Sequence, residues 1–383
     1  MNIDHSTNKK NTDTINIYFG PVLNDVSTLF FLGKILNKNS EAHKNLWNMF
    51  QGIDGEASLD FLHITQDPRS ADFYLVPHDY YLLKKTKNLT LLSPLIALAK
   101  SHNKKILIFA MADSDEYIDV PHSVIFRYSQ YGYKKKKNEI ITPPYTLLFK
   151  PQGLEAYREK IWENLILREK KEIPTVSFHG WADFPNWYRH LTYGARIGLA
   201  NIKRYLLRDL HAGLHKPGIY FRRKAVQALS QSKHIQTDFL MRKSFFAKSG
   251  FDGKISINPE VVEKTYIQSI LNSDFVLAPK GSGNASLRFF ETLSLGRFPV
   301  LIDTDYVLPL KDHIDYKKFL VTVDYTRIKD TERTILDFYN SVSSEEFKER
   351  QKMAREAFKL LRPGVFLRIV LSELKQAYTS YKI

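Results

Sequence analysis

The loop 280–286, Lys-Gly-Ser-Gly-Asn-Ala-Ser, has residue types that suit phosphate binding. Its glycines let the backbone approach a ligand closely, and a helical pattern that begins at Ser286 would direct free N–H groups and a positive dipole end toward a diphosphate. The spacing matches neither the dinucleotide fingerprint G-x-G-x-x-G nor a P-loop. From these residues alone, a nucleotide site and an ordinary glycine-containing turn are both open.

Arg288 and Glu291 stand three residues apart on the helix after this loop, so they share one of its faces. In a nucleotide site, Arg288 would contact a phosphate and Glu291 would accept the hydrogen bonds of both ribose hydroxyls. The alternative is an exposed ion pair within the helix, which stabilises by only a few tenths of a kcal/mol.

The elements around the loop predict a parallel crossover. Asn258 and Pro259 begin a helix that runs to about residue 272, and a strand follows at 275–278. A helix over 286–295 ends at Gly296, before a strand at 299–302. Such a unit is right-handed, and ligands of open α/β sheets bind at the carboxyl ends of the strands.

The first half of the chain also alternates strands with helices. Apolar runs at 15–19, 73–76, 106–110 and 124–126 predict strands, and 91–100 predicts a helix. The run 106–110 is continuous rather than alternating, which is typical of a parallel strand covered on both faces.

A second series follows a charged segment at 147–171 whose pattern is helical. It is predicted to contain a strand at 175–178, a helix over 194–210 and a strand at 219–221, and two helices around Pro363 end the chain. Two α/β series in 383 residues predict two domains. The expected parts are a disordered tail at 1–13, an amino-terminal domain at 14–170, a carboxyl-terminal domain at 171–363, and a helix at 364–383 that returns to the first domain.

The amino-acid composition excludes several kinds of functional site and indicates a location. The chain is 43% hydrophobic and has no cysteine, which excludes disulfides, thiolate zinc sites and cysteine nucleophiles. Residues 1–14 have no apolar core, and no apolar run approaches the roughly 20 residues that span a bilayer. We therefore expect a cytoplasmic protein, with the inner face of the membrane as a further location.

Several blocks together resemble the exostosin family of glycosyltransferases. The most specific are S-D-F-V-L-A-P-K-G at 273–281, S-L-R-F-F-E-T-L at 286–293, G-R-F-P-V-L-I at 296–302 and Leu308-Pro309. They are similar to the family's S-x-F-C-L-x-P-x-G, S-x-R-x-x-E-A, G-x-x-P-V and L-P-F. Weaker matches precede them in family order, at 71–77, 138–144 and 178–180.

The resemblance implies two Rossmann-like domains facing a cleft, the glycosyltransferase-B architecture. It also implies inverting transfer from a nucleotide sugar, usually uridine-linked, with no obligatory metal. Ser286, Arg288 and Glu291 match the family's donor-binding block position for position. Together with the glycine-rich loop, the predicted donor-binding residues are Gly180, Lys280, Gly281, Ser282, Gly283, Ser286, Arg288 and Glu291.

Two positions depart from the family pattern. Val276 replaces a cysteine at a packing position. Trp181-Ala182-Asp183 stands where the family often has a basic residue after F-x-G. Arg196 is expected to replace that residue in the diphosphate clamp, with Arg189 as the alternative.

An inverting transfer needs a general base for the acceptor hydroxyl, and we expect it from the amino-terminal domain. Asp113 aligns with a family H-D element, here Ala112-Asp113. His78 and Asp79 follow the strand at 73–76, and Glu139 is a further candidate. One of the four is expected to act, and each could instead be a loop or cap residue.

The net charge of +15 suits a glycan acceptor that is anionic or lipid-linked, such as a capsule or lipopolysaccharide chain, and peripheral contact with a membrane. Lys134–Lys137 would make that contact or form a solvated loop. Arg222-Arg223-Lys224 is either a phosphate-facing wall or a surface cluster. Because the resemblance implies no obligatory metal, we expect no metal and no cofactor besides the nucleotide-sugar co-substrate.

Two other functions remain open. A noncatalytic relative could keep the fold as a partner subunit. A nucleic-acid-binding protein would suit the charge alone, but the sequence has no zinc finger, helix-turn-helix or RNA-binding signature, so no nucleic-acid partner is expected.

Overall fold

Two parallel β-sheets organise the chain. The structure is a computed structural model, and it describes residues 14–32, 59–144, 164–183, 187–242, 248–249, 254–255 and 259–380. One sheet has six strands and the other has five, and a short antiparallel pair, β9 (Lys248–Ser249) with β10 (Lys254–Ile255), lies outside them. The predicted fold class, two Rossmann-like α/β domains, is confirmed.

The six-stranded sheet has the order β2-β1-β3-β4-β5-β6, and all its pairings are parallel. Its strands are β1 (Ile15–Phe19), β2 (Leu62–Ile64), β3 (Phe73–Leu75), β4 (Lys105–Phe109), β5 (Ser123–Arg127) and β6 (Glu139–Ile141). Helices α1 (Tyr80–Lys85) and α2 (Leu92–Ser101) connect β3 to β4. The side chains of β5 are buried throughout, as expected for a strand covered on both faces.

The five-stranded sheet has the order β13-β12-β11-β7-β8 and is also parallel. Its strands are β7 (Thr175–Trp181), β8 (Gln236–Arg242), β11 (Phe275–Leu277), β12 (Phe298–Asp303) and β13 (Val321–Asp324). The helices of this half are α3 (Trp187–Tyr205), α4 (Gly218–Leu229), α5 (Pro259–Leu271), α6 (Leu287–Ser294) and α7 (Thr331–Asn340). Helices α8 (Ser344–Leu360) and α9 (Pro363–Ser380) end the described chain.

Each sheet has its own hydrophobic core. Phe178, Phe275 and Phe298 are fully buried in the core of the five-stranded sheet. Helix α9 packs on the other sheet, since Phe366 and Val370 lie in one cluster with the core of β1 and β3. The domain boundaries predicted from the sequence stay a prediction.

Three predicted elements differ from the structure. Residues 219–221, predicted as a strand, lie in α4, where the buried Ile219, Phe221, Ala225, Val226 and Leu229 follow helical spacing after Pro217. Helix α3 begins at Trp187 rather than 194 and ends at Tyr205 rather than 210. Residues 164–171 form no helix. The rest of the segment 147–163, the predicted cap Asn258 and the tail 1–13 lie outside the described residues.

Candidate active site

The glycine-rich loop lies at the switch point of the five-stranded sheet. Strand β7 comes first in this half and is flanked by β8 on one side and by β11 on the other. The crevice of such a sheet opens outside the carboxyl ends of the two strands where the order reverses. Gly180 is near the end of β7, and loop 280–286 follows β11, so both lie at this crevice.

Close backbone packing explains two glycines here. The Gly281 N–H donates to the Ala285 carbonyl at 2.6 Å, which closes a tight turn. A Cβ on Gly218, the first residue of α4, would collide with the Gly281 carbonyl. Ser286 occupies the N-cap position of α6 with extended backbone, but its side chain makes no capping hydrogen bond. Ser282 is exposed.

Arg288 bends across the end of β7. Its Nη2 donates to the His179 carbonyl at 2.9 Å, and its guanidinium lies 4.3 Å from the Phe178 ring centroid. A Cβ on Gly180 would collide with Nη2, so glycine is the residue that admits this arginine. The structure therefore brings Gly180 and Arg288 together at the crevice.

Tyr266 of α5 joins Glu291 to Arg288, and no local sequence pattern indicates this contact. Its hydroxyl donates to Glu291 Oε2 at 2.5 Å and accepts from Arg288 Nε at 3.3 Å. Burial raises the pKa of Glu291, while the Tyr266 hydrogen bond and the Arg288 charge act in the opposite direction. Glu291 is thus held by a tyrosine hydroxyl, which is the type of group that a ribose hydroxyl could replace.

Arg222, rather than Arg196, is the arginine at the loop. Arg222 Nη1 donates to the Trp181 carbonyl at 3.0 Å, and Nη2 donates to the Lys280 carbonyl at 3.4 Å. Burial lowers the pKa of Arg222 to about 10, and the Arg288 charge acts in the same direction. Arg196 is exposed, and its guanidinium lies 5.8 Å from the ring centroid of Tyr193 on its own helix.

The basic triplet 222–224 indicated this arginine in the sequence. Its position could not be predicted, because a strand rather than a helix was predicted at 219–221. On helix α4, Arg222 is half-buried against the loop while Arg223 and Lys224 are exposed. The side chain of Arg189, the other predicted substitute, lies outside the described residues.

The ammonium of Lys280 points away from the crevice, and the predicted donor-binding role of this residue stays a prediction. Lys280 is 4% exposed, and its Nζ donates to the Tyr131 hydroxyl at 2.9 Å and to the Leu214 carbonyl at 2.6 Å. Burial lowers the pKa of Lys280 to about 7, opposed by the charge of Asp115. Because Tyr131 follows β5 of the other domain, Lys280 ties the two domains together.

The tip of the loop also contacts the amino-terminal domain. The Asn284 N–H donates to Ser129 Oγ at 2.8 Å, and Asn284 Nδ2 donates to the carbonyls of Gln130 and Asp305, each at 3.1 Å. The Gly132 N–H donates to the Asp305 carbonyl at 2.9 Å. The two domains therefore face each other across this loop.

Asp113 faces the loop from the opposite side. A Cβ on Gly283 would lie 2.9 Å from Asp113 Oδ1, and the Gly283 N–H donates to the Asp113 carboxylate. The side chain stays solvent-accessible, yet the surrounding protein removes enough water to raise its pKa. The hydrogen bond from Gly283 and the charge of Arg222 act the other way.

The other three candidate bases are tied into the fold. His78 is buried, with Nε2 accepting from the Leu23 N–H at 2.9 Å and Nδ1 lying 3.0 Å from the Ser27 carbonyl. Asp79 caps α1 by accepting from Tyr81 and Leu82, and its other oxygen accepts from the Met111 N–H at 2.7 Å.

Glu139 is 2% exposed. It pairs with the buried Arg127 at 2.8 Å and accepts from the Lys136 N–H at 2.9 Å. Like His78 and Asp79, it could not take a proton from an acceptor without losing its own contacts.

The described residues contain no group of three histidine, cysteine, aspartate or glutamate side chains that could hold a metal ion. In the same part of the chain, no helix is both long and apolar enough to cross a bilayer.

Comparison with known proteins connects this site to a family. Residues 219–337 match the family model of the Exostosin GT47 domain. The resemblance to exostosins is thereby confirmed, and the homology is distant. The matched range contains Arg222, the loop 280–286, Arg288 and Glu291, while Asp113 and Gly180 lie before it.

Curated relatives match over short stretches. A probable glycosyltransferase of Arabidopsis thaliana is 36% identical over 72 residues, which is 19% of this chain and 15% of the relative. The exostosin-1 homolog of Caenorhabditis elegans is 32% identical over 104 residues, 26% of this chain and 25% of the relative. Exostosin-1 of Drosophila melanogaster is 37% identical over 67 residues, 18% of this chain and 9% of the relative. The matched stretches thus span a quarter or less of these relatives.

One solved structure to which the chain aligns is the catalytic domain of starch synthase IV from Arabidopsis thaliana bound to ADP and acarbose. The alignment covers 81% of this chain and 73% of that chain, with 12% sequence identity and a TM-score of 0.33.

Proposed function

We propose that this protein is an inverting glycosyltransferase that moves a sugar from a uridine-diphosphate donor to a hydroxyl of a glycan acceptor. One observation carries the proposal. The segment that matches the Exostosin GT47 domain contains the switch-point loop with Arg222, Arg288 and Glu291, and a carboxylate of the other domain, Asp113, faces that loop.

The donor diphosphate would lie against the loop and the first turn of α6. Negative charge grows on the diphosphate as the bond to the sugar breaks, and preorganised donors lower the cost of that charge. Arg222 and Arg288 supply guanidinium groups at the crevice, and the α6 dipole adds its positive end. Glu291 would exchange its contact with Tyr266 for the ribose hydroxyls.

Asp113 would act as the general base. Its carboxylate takes the proton of the acceptor hydroxyl while the hydroxyl oxygen forms a bond to the anomeric carbon. The bond from that carbon to the diphosphate oxygen breaks on the opposite face, which inverts the configuration. A raised pKa suits this role, because a base works best when its pKa is near the operating pH.

Metal is not part of the proposal, since the arginines and the helix dipole provide the positive charge. We expect turnover to survive chelation. Loss of turnover in a chelator, with recovery on adding manganese or magnesium, would contradict this part.

The acceptor in this proposal is a sugar of a surface glycan, such as a capsule or lipopolysaccharide chain, that carries anionic groups or a lipid. The support is the net charge of +15. Anionic lipids give the cytoplasmic leaflet a negative surface potential that attracts basic proteins, so we place the reaction at that face of a membrane.

Glu291→Ala tests the donor site. Hydrogen bonds to a charged group contribute about 1.5–3 kcal/mol each, so losing two should weaken uridine-diphosphate binding at least about a hundredfold. Calorimetric titration measures the affinity, circular dichroism checks the fold, and Glu349→Ala, which replaces an exposed glutamate on α8, is the control. Unchanged affinity in Glu291→Ala would contradict the assignment.

A further inference from the structure

Helix α3 turns apolar side chains toward solvent. Nine large hydrophobic residues between 187 and 210 are more than half exposed, from Ile202 at 51% to Leu210 at 78%. They are Trp187, Tyr188, Leu191, Leu199, Ile202, Tyr205, Leu206, Leu207 and Leu210. Among the described residues, no other segment exposes so many. We call this surface the outer face of α3.

The spacing shows that this is one continuous stripe. Trp187, Leu191, Leu199 and Ile202 lie three, four or eight residues apart, which places them on one side of the helix, and Leu206 follows directly after its end. The side that meets the protein carries Ala200, 8% exposed, and half-buried side chains such as Ile197. A surface helix ordinarily buries its apolar stripe, so α3 has the reverse arrangement.

Basic residues accompany the stripe. Residues 187–211 contain Arg189, Arg196, Lys203, Arg204 and Arg208 against Asp209 alone, a net charge of 5 − 1 = +4. Arg196, Lys203 and Arg208 are exposed. The exposed aromatic residues stand at both ends of α3, with Trp187 and Tyr188 at its start and Tyr205 at its end.

We infer that the outer face of α3 docks in the interface of an anionic lipid bilayer. A helix with an apolar stripe, basic residues beside it and tryptophan or tyrosine rings at the headgroup level is the type that lies in the plane of a membrane surface. Charge complementarity selects anionic rather than neutral lipid. This inference concerns attachment and does not depend on the proposed sugar transfer.

The segments before and after α3 contact the region of the cleft. Before α3, the Trp181 carbonyl accepts from Arg222 beside the loop. After α3, the His211 ring stacks on Tyr133 of the other domain with centroids 3.7 Å apart. Docking through this surface would therefore hold the cleft next to the lipid headgroups, where a lipid-linked acceptor would lie.

Vesicle flotation tests the inference with the full chain. The wild-type protein should float with vesicles of phosphatidylcholine and phosphatidylglycerol, and much less with phosphatidylcholine alone. Leu191→Gln/Leu199→Gln/Ile202→Gln removes the centre of the stripe and should weaken binding on the order of tenfold or more. Because these side chains are exposed, the variant should keep its thermal stability. Val261→Gln/Met353→Gln, which replaces exposed hydrophobics elsewhere, should bind like the wild type.

A charge variant separates the electrostatic part. Lys203→Gln/Arg208→Gln should reduce binding to the anionic vesicles and its sensitivity to salt, whereas Lys317→Gln/Lys318→Gln should not. Three results would overturn the inference. The wild type and the stripe variant could bind vesicles equally, or neither could bind. A wild-type dimer in sedimentation that the stripe variant abolishes would assign the face to a second copy of this chain.

Discussion

The two sides of the cleft use their charged residues differently. On the carboxyl-terminal side, Arg222, Arg288 and Glu291 converge on one crevice, and Gly180 leaves room for Arg288. On the amino-terminal side, most candidate carboxylates hold the fold, and Asp113 faces the crevice. A carboxylate after a parallel strand is therefore a better candidate for chemistry when the backbone does not engage both of its oxygens and its side chain stays exposed.

Asp79 illustrates the difference. It follows β3 at the same edge of the sheet where a catalytic group is expected. Its two oxygens, however, accept three backbone hydrogen bonds, from Tyr81, Leu82 and Met111. Asp113 follows β4 at that edge and accepts instead from the Gly283 N–H of the other domain, and its side chain stays accessible to an acceptor.

Asp113→Asn should have the largest effect on turnover. Removing a general base lowers the rate by about 10²–10⁴-fold. Donor affinity should stay unchanged, since the donor contacts come from the other domain. Steady-state kinetics with calorimetry of uridine-diphosphate binding separate the two quantities. Equal turnover in Asp113→Asn and wild type would show that Asp113 is not the general base, and the amino-terminal side of the cleft would then have no assigned catalytic group.

The pH profile sharpens this prediction. A base must be deprotonated, so turnover should fall as the pH decreases through the pKa of Asp113. Because that pKa is raised from 3.8, the fall should begin at a higher pH than for an ordinary aspartate. Initial rates over a pH series measure the midpoint of this loss of turnover. A midpoint at or below the ordinary aspartate pKa of 3.8 would show that the surroundings of Asp113 do not raise the pKa of the catalytic base.

Glu139→Gln should destabilise the protein rather than disable the chemistry. It leaves the fully buried Arg127 without its charge partner, and breaking a buried pair in this way costs about 3–5 kcal/mol of unfolding free energy. Asp79→Ala should cost about 1 kcal/mol through the lost helix cap. Denaturant unfolding measures both changes. A stable Glu139→Gln protein with no turnover would identify Glu139 as the base.

Arg222→Gln should weaken donor binding more than Arg196→Gln. A charged hydrogen bond contributes about 1.5–3 kcal/mol, so losing the Arg222 contact should raise the dissociation constant for uridine diphosphate roughly 10- to 150-fold. Arg196 is exposed beside Tyr193, so its replacement should change little. A larger loss of donor affinity in Arg196→Gln than in Arg222→Gln would instead support Arg196 as the arginine that binds the diphosphate.

Sequence-based prediction of the site succeeded where the structure depends on residues that are close together in the chain. The strand, loop and helix around 275–295 depend on neighbouring residues, and all three were predicted correctly. The element that carries Arg222 was predicted wrongly as the end of a strand, because three apolar residues at 219–221 are too few to distinguish a strand from a helical turn. Tyr266 and the ammonium position of Lys280 depend on partners that are distant in sequence, for which the local pattern carries no information.

The lysine run Lys134–Lys137 should give the smallest effect. It is not simply a solvated loop, because Lys134 pairs with Asp115 at 2.5 Å and Lys136 lies 5.4 Å from the Tyr117 ring centroid. On an anionic acceptor, turnover should fall with added salt, since screening acts over about 8 Å at physiological ionic strength.

Replacing Lys134–Lys137 by glutamine should reduce that salt dependence through weaker acceptor binding while donor affinity stays the same. An attraction of about 1 kcal/mol per lysine near an anionic surface sets the upper bound of the effect. The control is Lys317→Gln/Lys318→Gln, which removes exposed charge from the other domain. If both variants keep the wild-type salt dependence, the acceptor does not meet the lysine run. The amino-terminal side of the cleft would then contribute Asp113 and its structural carboxylates, and the long-range attraction would come from charge elsewhere on the protein.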